Sequence, residues 1–314
     1  MKKAIENSSL YPEIIKSLQK SFIMDKFKGT GVAIVTPFNS DKNVDYKGLE
    51  KLVEHLISNG INYLVVQGTT GESVTLSKQE KEDTLAFIIK VNNGRLPIVL
   101  GIGGNCTATV VEAFKTTNTS GVDAILSVSP YYNKPTQEGI YQHYKAIAEA
   151  SELPIILYNV PGRTSSNILP ETTLRLANDF ENIIAVKEAS GNLEQCMEII
   201  NNKPADFLVI SGDDALVLPV IASGGNGVIS VIANAFPKGF SDMVSAALSD
   251  DMKTARALHY KYFEMIHYLF VEGNPAGVKA ALKELNIMDD VVRLPLVNVS
   301  KKTSDKIKQL MANY

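Results

Sequence analysis

The sequence predicts an α/β protein: a (β/α)8 TIM barrel followed by a C-terminal helical appendage. Eight apolar, β-branched runs recur at intervals of roughly 30 residues, with helical periodicity between them. Each run is continuous rather than alternating in polarity, which is typical of parallel strands buried on both faces. Eight such βα units favour a closed barrel over an open doubly wound sheet, which has fewer strands.

The predicted strands are short and evenly spaced. They comprise residues 32–36, 63–67, 97–101, 124–128, 154–158, 183–187, 207–211 and 227–231. Helical periodicity follows most of them, and Ser77 with Glu80 three residues later predicts a capping box at the start of one helix.

The chain divides into three predicted parts. Residues 1–27 form an N-terminal extension without an assigned role, and residues 28–249 form the catalytic barrel. Residues 250–314 are purely helical in pattern, with helices expected near 251–270, 275–286 and 301–312. This last part is too small and too helical to be a second α/β domain.

Composition excludes several classes of function. The 31 basic and 34 acidic residues are spread along the chain, so there is no basic stripe that would bind nucleic acid. The first 27 residues contain no apolar run long enough for a signal peptide or a membrane span. Two cysteines provide no disulfide framework and no zinc-binding spacing. We therefore expect a cytoplasmic protein that binds neither nucleic acid nor membranes.

Lys187 is the most informative single residue because it ends the sixth predicted strand. A lysine in this position lies at the rim of the core, and desolvation there promotes the neutral amine that attacks carbonyl groups. The alternative is a solvated lysine that only covers the strand end. The segment alone does not separate these two interpretations.

Other reactive side chains follow the carboxyl ends of the strands, where the active sites of barrel enzymes lie. Thr69 and Thr70, flanked by glycines, supply hydroxyls and amides for a carboxylate, although the same residues favour a tight turn. Tyr158 ends the fifth strand, next to the strand of Lys187, and predicts a proton shuttle; a rim tyrosine that caps the core is the alternative. Arg163 predicts a clamp for a second carboxylate, with a surface salt bridge as the alternative.

Neither a metal site nor a paired-acid site is expected. His259 and His267 lie about 12 Å apart along one helix, which is too far to share an ion. Asp213 and Asp214 precede a predicted helix and are more simply explained as capping residues.

A nucleotide or phosphate site is not expected either. The segment 101–105 reads GIGGN, but Cys106 stands where a dinucleotide loop needs its third glycine, and we expect Cys106 to be a small packing residue. No glycine pair for a phosphate follows the last strand.

Taken in order, Lys187 and the motifs GTTGES (68–73), PYYN (130–133) and YNVPGRT (158–164) resemble those of the dihydrodipicolinate synthases. These enzymes belong to the pyruvate-dependent class I aldolase superfamily, which also contains N-acetylneuraminate lyase. The resemblance covers about residues 28–312. It implies condensation of pyruvate with L-aspartate 4-semialdehyde to 4-hydroxy-tetrahydrodipicolinate, the entry step to diaminopimelate and lysine synthesis.

The resemblance assigns catalytic roles to four residues. Lys187 would form an imine with pyruvate, and Tyr158 would relay protons. Thr69 would connect Tyr158 to Tyr132, which in relatives reaches in from the neighbouring subunit. A tight dimer is therefore implied, and a homotetramer built from two such dimers is expected, although some relatives stop at the dimer.

The resemblance also assigns the substrate contacts. Thr70 and the backbone at Ile229 match contacts of pyruvate, and Arg163 matches the arginine that binds the carboxylate of the semialdehyde. No metal and no organic cofactor takes part. Sialic-acid lyases usually lack an arginine at this position, so Arg163 favours the synthase over the lyase. A catalytically dead barrel would be expected to have lost Lys187, Tyr158 or the threonines.

Feedback inhibition by L-lysine is expected to be weak or absent. The resemblance places an acidic residue and histidines in the effector site of inhibited relatives. Here Thr109, Lys78 and Lys81 stand at those positions. Two cations without a carboxylate are poor partners for the ammonium group of lysine.

Overall fold

The computed structural model describes residues 20–314 and contains a closed barrel of eight parallel strands, β1 to β8, in sequence order. The predicted (β/α)8 fold is confirmed. The strands are β1 Gly29–Ala33, β2 Tyr63–Val66, β3 Ile98–Gly101, β4 Ala124–Val128, β5 Ile155–Asn159, β6 Ile183–Glu188, β7 Leu208–Ser211 and β8 Gly227–Ser230.

Strand β1 begins three residues earlier than the sequence pattern predicts. It starts at Gly29 and pairs with β8 from Gly29 opposite Gly227. Gly31 lies against the ring of Tyr63, whose nearest carbon would be 2.2 Å from an added Cβ. A neighbouring tyrosine thus fills the space that an apolar side chain of β1 would occupy, so the start of this strand carries no apolar signal.

Helices surround the barrel as predicted, and several begin at side-chain caps. Ser77 and Glu80 form the predicted capping box, and Asp45, Thr136 and Asn192 each accept an N–H in the first turn of a helix. Such caps satisfy donors that the helix itself leaves unpaired. The helices in this part of the chain are Tyr46–Ile57, Lys78–Asn92, Thr107–Thr116, Gln137–Ala150, Pro161–Thr164, Pro170–Asp179, Leu193–Asn202, Val217–Ala222 and Pro237–Leu248.

The inside of the barrel is a packed core. Its side chains come from alternate positions of the strands, and Tyr158 and Ile229 belong to it. Phe27 lies edge-on to Tyr63 at 5.7 Å, so residues just before β1 cover the amino-terminal end of the strands. Most of the predicted N-terminal extension, residues 1–19, lies outside the described residues.

Three helices form the C-terminal appendage: Met252–Phe270, Ala276–Glu284 and Lys301–Met311. They agree with the predicted segments to within two residues. Tyr262 and Tyr314 stack at 4.9 Å, and both rings contact Phe236 beside the last barrel helix. The appendage therefore packs directly on the barrel.

Candidate active site

Lys187 and Tyr158 are brought together by strand pairing. They are register partners on β6 and β5, and the Lys187 Nζ lies 4.2 Å from the centroid of the Tyr158 ring. Lys187 is 6% exposed and Tyr158 is 7% exposed. Between residues 20 and 314 no hydrogen bond joins the amine to the phenol oxygen, so the contact is with the ring face. A buried primary amine beside a phenol is suited to covalent carbonyl chemistry with proton transfer.

The residues that follow these two point to the other face of the same strands. Glu188 and Asn159 are also register partners, and Asn159 Nδ2 donates to both carboxylate oxygens of Glu188 at 3.1 and 3.0 Å. Gln195 Nε2 and the Ser190 amide donate to the same carboxylate at 2.9 and 2.8 Å. This buried network holds the ends of β5 and β6 together. Sequence reasoning missed it, because buried amides carry no periodic signal.

Gly212 makes room for the side chain of Lys187. An added Cβ would lie 3.0 Å from Lys187 Cε and 2.6 Å from Ala189 Cβ. Only the neighbouring acidic residues Asp213 and Asp214 were considered from the sequence, and Gly212 was missed. Its position in the sequence could have indicated this role, because Gly212 directly follows β7, which pairs with the strand of Lys187.

The loop carrying Thr69 and Thr70 has an unusual backbone. Gln67 and Glu72 frame it with left-handed φ angles of 60° and 53°, which non-glycine residues rarely adopt. Thr36 donates from its hydroxyl to the carbonyl of Gly71 at 2.7 Å. Thr70 is buried in this loop, whereas Thr69 is exposed.

A buried ion pair joins this loop to the C-terminal appendage. Glu72 Oε1 and Lys279 Nζ lie 2.5 Å apart, with side chains 1% and 0% exposed. Lys279 also lies over the ring of Phe38 at 4.3 Å and donates to the carbonyl of Val291 at 2.8 Å. Burial lowers the pKa of Lys279 to about 8, although Glu72 acts in the opposite direction.

Arg293 strengthens the same junction. Its guanidinium lies over the ring of Phe38, which Lys279 also contacts, at 4.3 Å from the ring centroid. The same guanidinium forms an ion pair with Glu80 at 2.5 Å. The Arg293 amide donates to Glu72 at 3.0 Å. Hydrogen bonds from Arg293 hold the pKa of Glu80 at about 2. No part of this cluster was predicted, since its members lie more than 200 residues apart in sequence.

Tyr132 and Arg163 lie at the surface. Tyr132 is 87% exposed with φ of 74°, and its amide donates to the carbonyl of Thr164 at 3.3 Å. Arg163 is exposed in the short helix that follows β5. Among the described residues, no hydrogen bond or ring contact joins Tyr132 to Lys187 within one chain.

A cavity of about 1300 Å³, here named the outer cavity, includes Tyr158 in its lining. Thr69, Tyr158, Arg163 and Tyr131 all line it, so three of the predicted site residues share one space. Lys187, Thr70 and Ile229 do not line this cavity, and all three are buried. Ile229 lies within β8 and is 1% exposed.

Two sequence interpretations need correction. Cys106 is exposed at the start of a helix and is not a packing residue. Asp214 does not cap the helix that follows it, because its Oδ2 accepts the amides of Val231 and Ile232 at 3.0 and 2.9 Å, after β8. Asp213 does accept amides just ahead of that helix, at Ala215. The partners of Asp214 follow β8 and are 17 and 18 residues away in sequence, so local spacing was misleading.

Neither a membrane-spanning helix nor a metal site is found in the described part of the chain. Between residues 20 and 314, no helix is long and apolar enough to cross a membrane. Over the same residues, His, Cys, Asp and Glu form no group of three or more that would hold a metal ion.

Comparison with known proteins gives a consistent result. Residues 26–314 match the Dihydrodipicolinate synthetase family. A 4-hydroxy-tetrahydrodipicolinate synthase of Flavobacterium psychrophilum is 57% identical over 284 residues, 90% of this chain and 97% of that protein.

Solved structures of similar proteins cover nearly the whole barrel and appendage. The chloride-inhibited dihydrodipicolinate synthase of Acinetobacter baumannii, complexed with pyruvate, is 44% identical with a TM-score of 0.88, covering 91% of this chain and 98% of that one. A monomeric dihydrodipicolinate synthase variant has a TM-score of 0.90 at 39% identity, covering 92% and 97%.

Proposed function

The chain belongs to the Dihydrodipicolinate synthetase family, and from this membership and the geometry of its site we propose how its residues act. The enzyme is a lyase that condenses pyruvate with L-aspartate 4-semialdehyde to 4-hydroxy-tetrahydrodipicolinate, in the diaminopimelate and lysine pathway. The observation that supports the proposed mechanism best is the contact of the buried Lys187 amine with Tyr158.

Lys187 and Tyr158 perform the covalent chemistry. The Lys187 amine attacks the ketone of pyruvate and forms an imine with loss of water, and the enamine tautomer adds to the aldehyde of the second substrate. The amino group of that substrate then attacks the imine carbon, which closes the ring and releases the Lys187 amine. Tyr158, beside the amine, transfers the protons that these steps require. Thr69 lines the same cavity and connects Tyr158 to a Tyr132 from the partner subunit.

Substrate carboxylates are bound at two separate places. Thr70 and the backbone at Ile229 contact pyruvate, and the Thr70 hydroxyl binds its carboxylate. Arg163 lines the outer cavity and binds the carboxylate of the semialdehyde through its planar guanidinium. This exposed arginine supports a substrate with a second carboxylate rather than a sugar.

The reaction as proposed uses protein side chains and the covalent imine, without a metal ion or an organic cofactor. The exposed Tyr132 supports an assembly in which a second subunit covers this face, and we propose a homotetramer made of two tight dimers. We propose a cytoplasmic location for the enzyme, since its relatives are biosynthetic enzymes of bacteria.

Weak inhibition by L-lysine remains a prediction. Lys78, Lys81 and Thr109 all line the outer cavity, and the two cations would repel the ammonium group of the effector. Strong inhibition in a rate assay would contradict this expectation. Three carboxylates line the same cavity and would be the first candidates to explain it: Glu82, Asp83 and Glu112.

Reductive trapping tests the mechanism. Borohydride added with pyruvate should fix one adduct, which peptide mass mapping should place on Lys187. Lys261 serves as the matched control lysine, since it lies over aromatic rings in the appendage and should stay unlabelled. Absence of an adduct, or an adduct on another lysine, would contradict the proposed mechanism.

Arg163→Ala separates the two substrates. This variant should still be labelled by pyruvate and borohydride, while its KM for aspartate 4-semialdehyde should rise at least about tenfold, since a bidentate charged contact is lost. Borohydride labelling measures imine formation. A coupled assay measures the KM for the semialdehyde, with N-acetylneuraminate as the alternative substrate. Equal loss of imine formation would refute the assigned role of Arg163.

A further inference from the structure

Asn274 belongs to the C-terminal appendage, yet its side chain reaches the loop that follows β2. It lies in the turn between the helices Met252–Phe270 and Ala276–Glu284. Its Nδ2 donates to the hydroxyl oxygen of Thr70 at 2.9 Å, across a sequence separation of 204 residues. Asn274 is 7% exposed and Thr70 is 3% exposed, so water does not compete for this bond.

The direction of this hydrogen bond determines what Thr70 is able to do. An amide nitrogen donates and does not accept, so the Thr70 oxygen is the acceptor and its own proton remains available. Among residues 20–314, the Thr70 hydroxyl donates to no protein acceptor. Accepting one hydrogen bond also strengthens a hydroxyl as a donor of the next.

The appendage holds Asn274 rigidly. Lys279, five residues further on, forms the buried ion pair with Glu72, which is two residues beyond Thr70. An added Cβ on Gly277 would lie 2.3 Å from the carbonyl oxygen of Leu269, so the two helices approach closely at this turn. Two parallel connections, at Thr70 and at Glu72, therefore link one short segment of the appendage to one short loop.

We infer that Asn274 is a positioning residue that keeps the Thr70 hydroxyl oriented as a hydrogen-bond donor to the carboxylate of the bound 2-keto acid. This inference rests on the proposed function, in which Thr70 contacts that carboxylate. The buried Oδ1 of Asn274 has no hydrogen-bond partner, and an unpaired buried acceptor lowers the stability of the folded protein. Packing alone does not explain an amide at this position.

Asn274→Asp tests the direction of the bond with almost no change in shape. A carboxylate accepts hydrogen bonds and does not donate them, so the Thr70 hydroxyl would donate to the new carboxylate instead of to the ligand. The substitution also adds a negative charge near the ligand carboxylate. KM for pyruvate should rise at least about tenfold, the size expected for one hydrogen bond to a charged group. The KM for the second substrate and kcat at saturating pyruvate should change by less than about threefold.

Asn274→Ala and Thr70→Val complete the experiment. The alanine variant leaves the Thr70 proton free and should raise the pyruvate KM less than the aspartate variant does. In the Thr70→Val background, Asn274→Ala should not raise the pyruvate KM further, because its effect acts only through the Thr70 hydroxyl. If Asn274→Asp does not fold, the test depends on Asn274→Ala. A raised pyruvate KM in Asn274→Ala would support the inference, and an unchanged pyruvate KM would overturn it.

Asn313→Asp is the matched control. It adds the same charge at an exposed position of the appendage and should leave both KM values unaltered. A purely structural role of Asn274 would lower the melting temperature of both Asn274 variants with equal pyruvate KM, which would refute the inference. Failure of wild-type protein to form the borohydride adduct on Lys187 would instead refute the proposed function.

Discussion

Lys187 and Tyr158 stand on two hydrogen-bonded strands, whereas Thr69 and Thr70 stand on a loop that is held from the far end of the chain. The first pair, with residues 155–159 and 183–188, is the strand half of the site. The loop half comprises residues 67–72 with their partners in the appendage. The strand half is positioned by backbone register, whereas the loop half, in which Thr70 and Glu72 are buried, is positioned by side-chain contacts.

This difference has a physical consequence. In the strand half, main-chain hydrogen bonds set the spacing of Tyr158 and Lys187, so the polar network behind them adds stability without setting their positions. In the loop half, the backbone is strained at Gln67 and Glu72 and needs the ion pair to stay in place. Changes in the loop half should therefore affect both stability and pyruvate binding.

The largest effect is expected in the loop half, from Lys279→Met. This change leaves the Glu72 carboxylate buried without its cation and should lower the free energy of unfolding by about 3–5 kcal/mol. The double variant Glu72→Gln with Lys279→Met removes both charges and should recover much of that loss, although the Val291 carbonyl stays unpaired. Urea unfolding of the wild type and the two variants measures both values. A double variant no more stable than the single one would show that the pair is not the main support of the loop.

A smaller effect is expected in the strand half, from Glu188→Gln. All the groups around this carboxylate are donors, so a glutamine NH2 would face another donor and should cost about 1–3 kcal/mol. Imine formation on Lys187 should fall by less than about tenfold, because strand register is unchanged. Glu198→Gln, at an exposed position, is the control for loss of one charge. Loss of imine formation without loss of stability would reverse the contrast between the halves.

A third effect, which is seen only as a change of stability with pH, concerns the support of β8. Burial raises the pKa of Asp214 to about 6 from the ordinary value of 3.8. Because the folded state favours the protonated form, this stabilising contribution is present below pH 3.8 and is lost as pH rises through about 6. Between these values the wild type should lose about 2–3 kcal/mol relative to Asp214→Asn. Unfolding curves at several pH values measure the difference, and parallel pH profiles would contradict it.

Much of this protein follows from local sequence. Continuous apolar runs identified seven strands nearly to the residue, and caps such as Ser77 with Glu80 placed helix starts correctly. The strand-end position of Lys187 and Tyr158 was also readable, because parallel neighbours bring equivalent ends together. The start of β1 was missed, since glycine and a neighbouring tyrosine replace the apolar pattern there.

The contacts that support the site were decided by folding. Asn274 with Thr70, Glu72 with Lys279, and Asp214 with the end of β8 join residues whose own segments carry no trace of their partners. Periodicity records which face of an element is buried, and it holds no information about which distant polar group will meet another inside the core. The barrel fold and the neighbouring positions of β5 and β6 were predicted from the sequence pattern, while the orientation of the Thr70 hydroxyl depends on how the appendage packs.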